Sequence, residues 1–222
     1  VGAEFVRDVK PGEIITLHHG QFSSDERFCT EKTASCIFEH IYFARPDSVI
    51  DGQSVNESRV LTGQLLAQQH PVDADLVIGV PDSGLSSAIG YSMESGIPFG
   101  LGLVKNRYIG RTFIQPSQSQ RERSVALKLN VLKSNVKGKR IIMVDDSIVR
   151  GTTIANIVKL LKKAGALEVH VRIASPKFLF PCFFGTDVPD SDQLACCKYT
   201  DEQLLEKISA DSLGFLDVNT LE

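Results

Sequence analysis

The sequence predicts an α/β fold: a mainly parallel sheet flanked by helices, with a residual hairpin at the N-terminus and a small extension at the C-terminus. Three observations predict it. From about residue 58, short apolar runs alternate with stretches of helical pattern, and strands alternating with helices imply a parallel sheet with crossover connections. Glycine and proline punctuate those stretches where helices are expected to stop. Finally, the apolar run at residues 141–144 ends in two adjacent acids, Asp145 and Asp146, followed by a Ser/Gly/Thr turn and an amphipathic segment. That order puts charge at the carboxyl edge of the sheet, where open α/β sheets bind their ligands.

Taken in order, residues 1–17 read as strand, turn (Lys10-Pro11-Gly12-Glu13) and strand (residues 14–17). A lone hairpin is marginally stable and residue 1 is not Met, so the chain is expected to be a fragment or a processed product whose hairpin has lost its parent domain. Residues 76–80 are a short buried strand, Pro81-Asp82-Ser83-Gly84 a turn, and residues 85–95 a helix closed by Gly96 with Pro98 beyond it. Residues 101–104 are expected to form the next strand. After residues 141–144 comes a helix with Ile154, Ile157, Val158 and Leu161 on one face, ended by Gly165. Val169, Val171 and Ile173 alternate as a further strand.

Composition narrows the function classes. A chain of 222 residues can bury a full core. Its formal net charge of -3 gives no reason to expect a nucleic-acid or membrane partner, and no apolar run approaches the ~20 residues of a membrane span. Five cysteines, an odd number, do not read as a secreted disulfide framework, so a reducing, cytoplasmic setting is expected.

Three loops carry the chemistry. In residues 145–153, two carboxylates at a strand end suit a metal or a sugar diol, while the helix start that follows suits a phosphate. A single acid before a helix is ordinarily an N-cap, and a strand ending in two acids also occurs in phospho-acceptor pockets. Capping explains one acid here, not two followed by Ser147, Arg150, Gly151, Thr152 and Thr153. The turn Asp82-Ser83-Gly84 also joins a strand to a helix start, and a pyrophosphate fits there as well as a purely structural turn does. Residues 105–123 are basic, with Lys105, Arg107, Arg111, Arg121 and Arg123. Such a run is either a solvated face or a lid that closes on a polyphosphate and excludes water.

The acid pair, the Ser/Gly/Thr turn and the helix in that order resemble the phosphoribosyl-pyrophosphate (PRPP) signature of type I phosphoribosyltransferases. Three further stretches resemble the glutamine PRPP amidotransferase family in particular: residues 105–116, read as its flexible loop; residues 39–48, read as the opening of its phosphoribosyltransferase domain; and residues 2–13, read as the tail of its glutaminase domain. The resemblance implies domain bounds of 1–30 for that tail and linker, 31–177 for the phosphoribosyltransferase and 178–222 for a C-terminal extension. It implies transfer of ammonia, drawn from glutamine in the intact enzyme, to C1 of PRPP. Pyrophosphate is released and 5-phosphoribosylamine formed, the first step of purine biosynthesis.

By the same resemblance, Asp82, Ser83, Gly84, Asp145, Asp146, Ser147, Val149, Arg150, Gly151, Thr152 and Thr153 bind PRPP. Ser83, Asp145 and Asp146 hold Mg2+, and Lys105, Arg107, Tyr108 and Arg111 act in catalysis. Purine nucleotides are implied as inhibitors and a homo-oligomer as the assembly. The family's glutaminase begins with a catalytic Cys that is not seen here, so glutamine is expected to be inert and ammonia the donor. Cys36 and Cys182 resemble two ligands of a [4Fe–4S] cluster in some members. A cluster needs four thiolates, and no intact one is expected within this chain. The alternatives are a base-salvage phosphoribosyltransferase, or a module that senses PRPP or nucleotides without turnover.

Overall fold

The structure is a computed structural model and describes residues 2, 4–30, 34–106, 129–186, 188 and 190–221. The chain divides into two compact units, Val1–Ile37 and Phe38–Glu222. In the first, β1 (Ile14–His18) pairs antiparallel with β2 (Gln21–Asp25). His19 and Gly20 join them with φ of 48° and 77°, the two-residue turn whose twist matches paired strands. The hairpin therefore lies one strand later than the sequence suggests. Residues 4–9 form no strand, because Glu13 is taken by Arg7 Nη2 at 2.6 Å and by the Lys10 amide at 2.7 Å, which folds this stretch back before β1 begins.

The second unit opens with a single π-helical turn, Glu39–Phe43, and a tight pair of two-residue strands, β3 (Val49–Ile50) and β4 (Gln53–Ser54). Ser54 caps α1 (Val55–Gln69) by accepting from the Glu57 amide at 3.3 Å. Then follow β5 (Leu76–Gly79), α2 (Gly84–Ser95), β6 (Leu103–Lys105), β7 (Leu129–Val131), α3 (Lys133–Val136) and β8 (Arg140–Asp145). The chain continues through α4 (Thr152–Ala164), β9 (Glu168–Ile173), α5 (Ala195–Lys198), α6 (Asp201–Ile208) and β10 (Ser212–Phe215).

Four strands make the central sheet in the order β10-β9-β8-β5, every pair parallel. β8 is interior, and its side chains alternate between two cores. Ile141 and Met143 join Ile154, Ile157, Val158, Leu161 and Leu204 from α4 and α6. Ile142 and Val144 join Leu66, Ala88 and Tyr91 from α1 and α2. Both faces are covered, which is why these strands read as continuous apolar runs rather than as alternation. Gly63 and Gly90 let α1 and α2 approach closely; a Cβ on either would lie 1.9 Å from a backbone oxygen of the other helix. Helix α2 ends at Gly96 with φ 71°, and α4 at Gly165 with φ 101°, where the sequence expects them to stop.

One expectation about the sheet changes. The strand read at residues 101–104 is β6, which starts two residues later and pairs antiparallel with β7 instead of entering the central sheet. Residues 98–100 occupy that place beside β5, through Val77 N to Pro98 O and Gly100 N to Val77 O, both 2.9 Å. Pro98 supplies no amide and so suits the sheet's edge. Within residues 178–222, α6 packs into the core and β10 forms an edge strand of the same sheet.

Candidate functional site at the carboxyl edge of the sheet

Two loops leave the adjacent parallel strands β5 and β8 at the same edge. They are tied at their base, where the Val80 amide donates to Val144 O at 2.9 Å. The loop after β5 runs through Pro81, Asp82 and Ser83 into α2, and its Pro81–Asp82 peptide is cis. Gly84 lies against β8; a Cβ there would meet Val144 O at 2.6 Å. The loop after β8 begins with the acid pair. Asp145 is 7% and Asp146 8% exposed, and among the described residues neither makes an ion pair, which is rare for buried acids.

The two loops converge on Asp146. The Ser83 hydroxyl donates to its Oδ2 from the first loop, and the Ser147 hydroxyl to its Oδ1 at 2.5 Å from the second. Asp145 Oδ1 accepts from the Asp146 amide at 2.9 Å. Burial, and after it the neighbouring charge of Asp146, raise the Asp145 carboxyl well above the ordinary range. Beyond the acids, Ile148 is buried while Thr152 and Thr153 are exposed. The first amide of α4 to reach a carbonyl of its own helix start is that of Ala155, to Gly151 O at 3.1 Å. The amides just before it have no intrahelical acceptor, which makes this turn a place for an anion.

Of the expected lid, Lys105 is described. Its Nζ donates to Asp82 Oδ2 at 2.6 Å, an exposed pair that ties β6 to the loop after β5. Arg107, Tyr108 and Arg111 lie outside the described residues. Arg150 lies within the turn that leads into α4, where its Nη2 donates to Gln193 Oε1 at 2.5 Å. Sequence reasoning missed Arg59. It is 5% exposed, and its guanidinium donates to His40 O at 2.7 Å and Ala44 O at 2.9 Å, pinning residues 40–44 to α1. Nothing in the sequence links an arginine on α1 to carbonyls so far upstream. A cavity of about 480 Å³ between the C-terminal ends of α1 and α2, lined by Gln68, Asp73 and Glu94 among others, lies at the opposite edge of the sheet and takes no part in this site.

The donor set suits a hard cation, since the two carboxylates and two hydroxyls are all oxygen ligands. Among the described residues no group of three or more His, Cys, Asp or Glu is placed to hold a metal. Mg2+ is ordinarily held by one or two carboxylates together with substrate phosphates, so the acid pair fits a metal shared with a phosphorylated substrate.

Cys36 is exposed in the first unit and Cys182 belongs to the second, and no thiolate cluster forms among the described residues. The Cys182 thiol is made more acidic by its neighbours. Thr186, its hydroxyl first, and the amides of Phe184 and Gly185 lower its thiol to about 7. The Thr186 hydroxyl is buried and makes no hydrogen bond of good geometry among the described residues, so its influence on the sulfur is that of a nearby dipole.

The model of the family described as "Phosphoribosyl transferase domain" matches residues 52–175, the stretch that contains both loops. The chain belongs to the phosphoribosyl transferase domain family. Within that family it is similar to the amidophosphoribosyltransferase of Archaeoglobus fulgidus, 51% identical over 221 residues, covering 100% of this chain and 48% of the relative. The enzyme of the same name from Methanocaldococcus jannaschii is 48% identical over 234 residues, covering 99% of this chain and 50% of the relative. Among solved structures, the glutamine PRPP amidotransferase from B. subtilis complexed with ADP and GMP superposes with a TM-score of 0.84 at 50% identity, over 99% of this chain and 48% of that one. The chain thus spans about half the length of the relatives it matches. As a phosphoribosyl transferase domain it has the fold its sequence predicts, a parallel sheet flanked by helices with the two loops at one edge. Among the described residues no helix is long and apolar enough to cross a membrane.

Proposed function

We propose that this chain carries the phosphoribosyl-transfer chemistry of an amidophosphoribosyltransferase, in which ammonia displaces pyrophosphate from C1 of PRPP and 5-phosphoribosylamine forms. The observation that carries this reading is the convergence of Ser83 and Ser147, from two different loops, on Asp146 beside the buried Asp145. A phosphorylated sugar with a pyrophosphate leaving group needs diol acceptors and phosphate donors within one short span, and the two loops offer them side by side.

In this reading Asp145 and Asp146 take the ribose hydroxyls, the turn of Ser147, Val149, Arg150, Gly151, Thr152 and Thr153 takes the 5′-phosphate, and Asp82, Ser83 and Gly84 take the pyrophosphate. Mg2+ held by Asp145, Asp146 and Ser83 would neutralise charge on the pyrophosphate as it departs. The C1–O bond breaks with its electron pair on pyrophosphate, the lone pair of ammonia forms the C1–N bond, and the surplus proton leaves to solvent. The carbon passes through an oxocarbenium-like state, so the side chains act by position and charge rather than as nucleophiles. Lys105 exchanges Asp82 for the leaving group, joined by Arg107, Tyr108 and Arg111. Binding of purine nucleotides as inhibitors belongs to the same proposal and is supported by the B. subtilis relative, whose structure holds ADP and GMP. A homo-oligomer and a cytoplasmic setting complete it.

The test is pyrophosphate release from PRPP with Mg2+ and ammonium. Turnover that depends on ammonium supports the proposal. Turnover only with a purine base would assign the chain to base salvage, and PRPP binding without turnover would assign it to sensing.

A further inference from the structure

A second basic site lies beside the phosphate turn. Arg150, Lys198 and Lys207, with Gln193, Tyr199 and the single acid Asp192, line a cavity of about 210 Å³. Ala195 closes it on the side of the turn, where its amide donates to Val149 O at 2.7 Å. The Cβ of Ala195 would lie 3.6 Å, and Leu204 Cδ1 3.5 Å, from a Cβ added at Gly151. The cavity wall and the phosphate turn therefore share one packed support.

Among the described residues the three cations make no ion pair with a carboxylate. Arg150 is held by Gln193, and Lys207 donates to the Tyr199 hydroxyl at 3.0 Å while lying 4.4 Å from the Tyr199 ring centroid. Neighbouring Lys162 and Lys177 are instead ion-paired, with Asp211 at 3.0 Å and Asp201 at 2.7 Å. A concave wall with three positive charges against one negative, whose arginine and one lysine are bound to neutral oxygens, is built for an anion. Its volume is below the ~300–1,000 Å³ of cavities that enclose drug-sized ligands. It therefore accommodates a single phosphate-sized group rather than a whole nucleotide.

We propose that this cavity is a second oxyanion site for an inorganic phosphate-class ligand, carried by Lys198 and Lys207 beside the turn that takes the 5′-phosphate, with Arg150 as the one residue the two sites share. Separateness from the first site rests on the phosphoribosyl-transfer reading, so the experiment tests the two independently. The chain is saturated with ribose 5-phosphate and then titrated with inorganic phosphate by calorimetry at low ionic strength, where exposed charges act most strongly. The expected result is phosphate binding on the saturated chain that depends on Lys198 and Lys207, which sets it apart from any phosphate taken by the loop of Asp82, Ser83 and Gly84. In Lys198→Glu/Lys207→Glu it weakens by at least about tenfold, the scale of a few partly exposed charge contacts reversed, while ribose 5-phosphate binds as before. Lys198→Gln/Lys207→Gln, which removes charge without reversing it, falls between the two, so that a folding defect in the first variant cannot imitate the result. Absence of phosphate binding to the saturated wild-type chain, or binding to both variants as tight as to wild type, overturns the proposal. If ribose 5-phosphate fails to bind, the phosphoribosyl reading falls, and a phosphate site lost in the lysine variants still supports the second site.

Discussion

The loops after β5 and β8 begin alike and end differently. Each leaves a fully buried parallel strand, turns at the same edge and feeds a helix. The first presents its acid to water, where Asp82 is satisfied by Lys105 at 2.6 Å. The second buries two acids with hydroxyls and one amide but, among the described residues, no cationic side chain bonded to them. An exposed acid of the first kind is at ease without a ligand. A buried pair is not, because its charges repel in a medium that screens them poorly. This difference marks the second loop as the place where a cation or a diol is needed, and the first as a place where a charged contact can be exchanged.

Removing the buried acids gives the largest expected effect. Asp145→Ala/Asp146→Ala should lower ammonia-dependent turnover by ~10³-fold, at the upper end of what one preorganised electrostatic contact contributes, while the fold survives because the site is at the sheet edge. Steady-state kinetics beside circular dichroism check this, and wild-type turnover in the double variant would remove the acids from the chemistry. On the other loop, Lys105→Ala should lower kcat by roughly 10²-fold with a smaller rise in KM. Charge grows on pyrophosphate only as the bond breaks, so the contact is worth most in the transition state. An effect on KM alone would make Lys105 a docking group.

Next comes a pH test that separates a buried acid from an exposed one. In the folded chain Asp145 holds its proton well above the usual 3.8, so between that value and its folded value the native state binds more protons than the unfolded one. Stability then falls as pH rises through that window and stays lowered above it. Asp145→Asn keeps an oxygen for the Asp146 amide and removes the charge. It should be more stable than wild type at pH 7, lose that part of the acid-side slope, and be inactive. Chemical denaturation at pH 4 to 8 reads the outcome, and parallel curves for the two proteins would mean that Asp145 is ionised without cost.

Much of this was legible in the sequence, for physical reasons. Strands buried on both faces read as apolar runs, and the face of Ile154, Ile157, Val158 and Leu161 reads as helix because one core takes all four. The acid pair was legible because two adjacent carboxylates at the end of an apolar run have few structural uses. What was not legible depends on contacts distant in sequence. Residues 98–100 displaced the expected strand because Val77 bonds to Pro98 and Gly100, a choice between two short apolar stretches that local pattern cannot make. The Arg59 contacts to His40 and Ala44 exist only once α1 lies against the π turn. Lys198 and Lys207 carry no local sequence signal of a site, and only the packing of α5 and α6 brings them round one cavity with Arg150.

The smallest expected effects come from the glycine that each loop carries at its helix start, and they sharpen the comparison in a different currency. Gly84 has an ordinary negative φ but no room, since an added Cβ would sit 2.6 Å from Val144 O and 3.2 Å from Asp145 Cα, both on an interior strand. Gly151 has room but an unusual backbone, with φ 76° and nothing nearer its added Cβ than Leu204 Cδ1 at 3.5 Å. Gly84→Ala must move β8 or α2 and should cost about 1–3 kcal/mol, the range for overpacking, less a fraction returned by alanine's better helix propensity. Gly151→Ala meets only the left-handed penalty of about 1–2 kcal/mol, partly offset because alanine also restricts the unfolded chain, and should lose about 1 kcal/mol or less. Gly84→Ala should also disturb turnover more, because the backbone it presses on carries Asp145. Denaturation midpoints and kcat for the two single variants decide the matter: if Gly151→Ala were the more damaging in both, backbone conformation in the phosphate turn, rather than the close packing of the two loops, would be what holds this edge of the sheet in place.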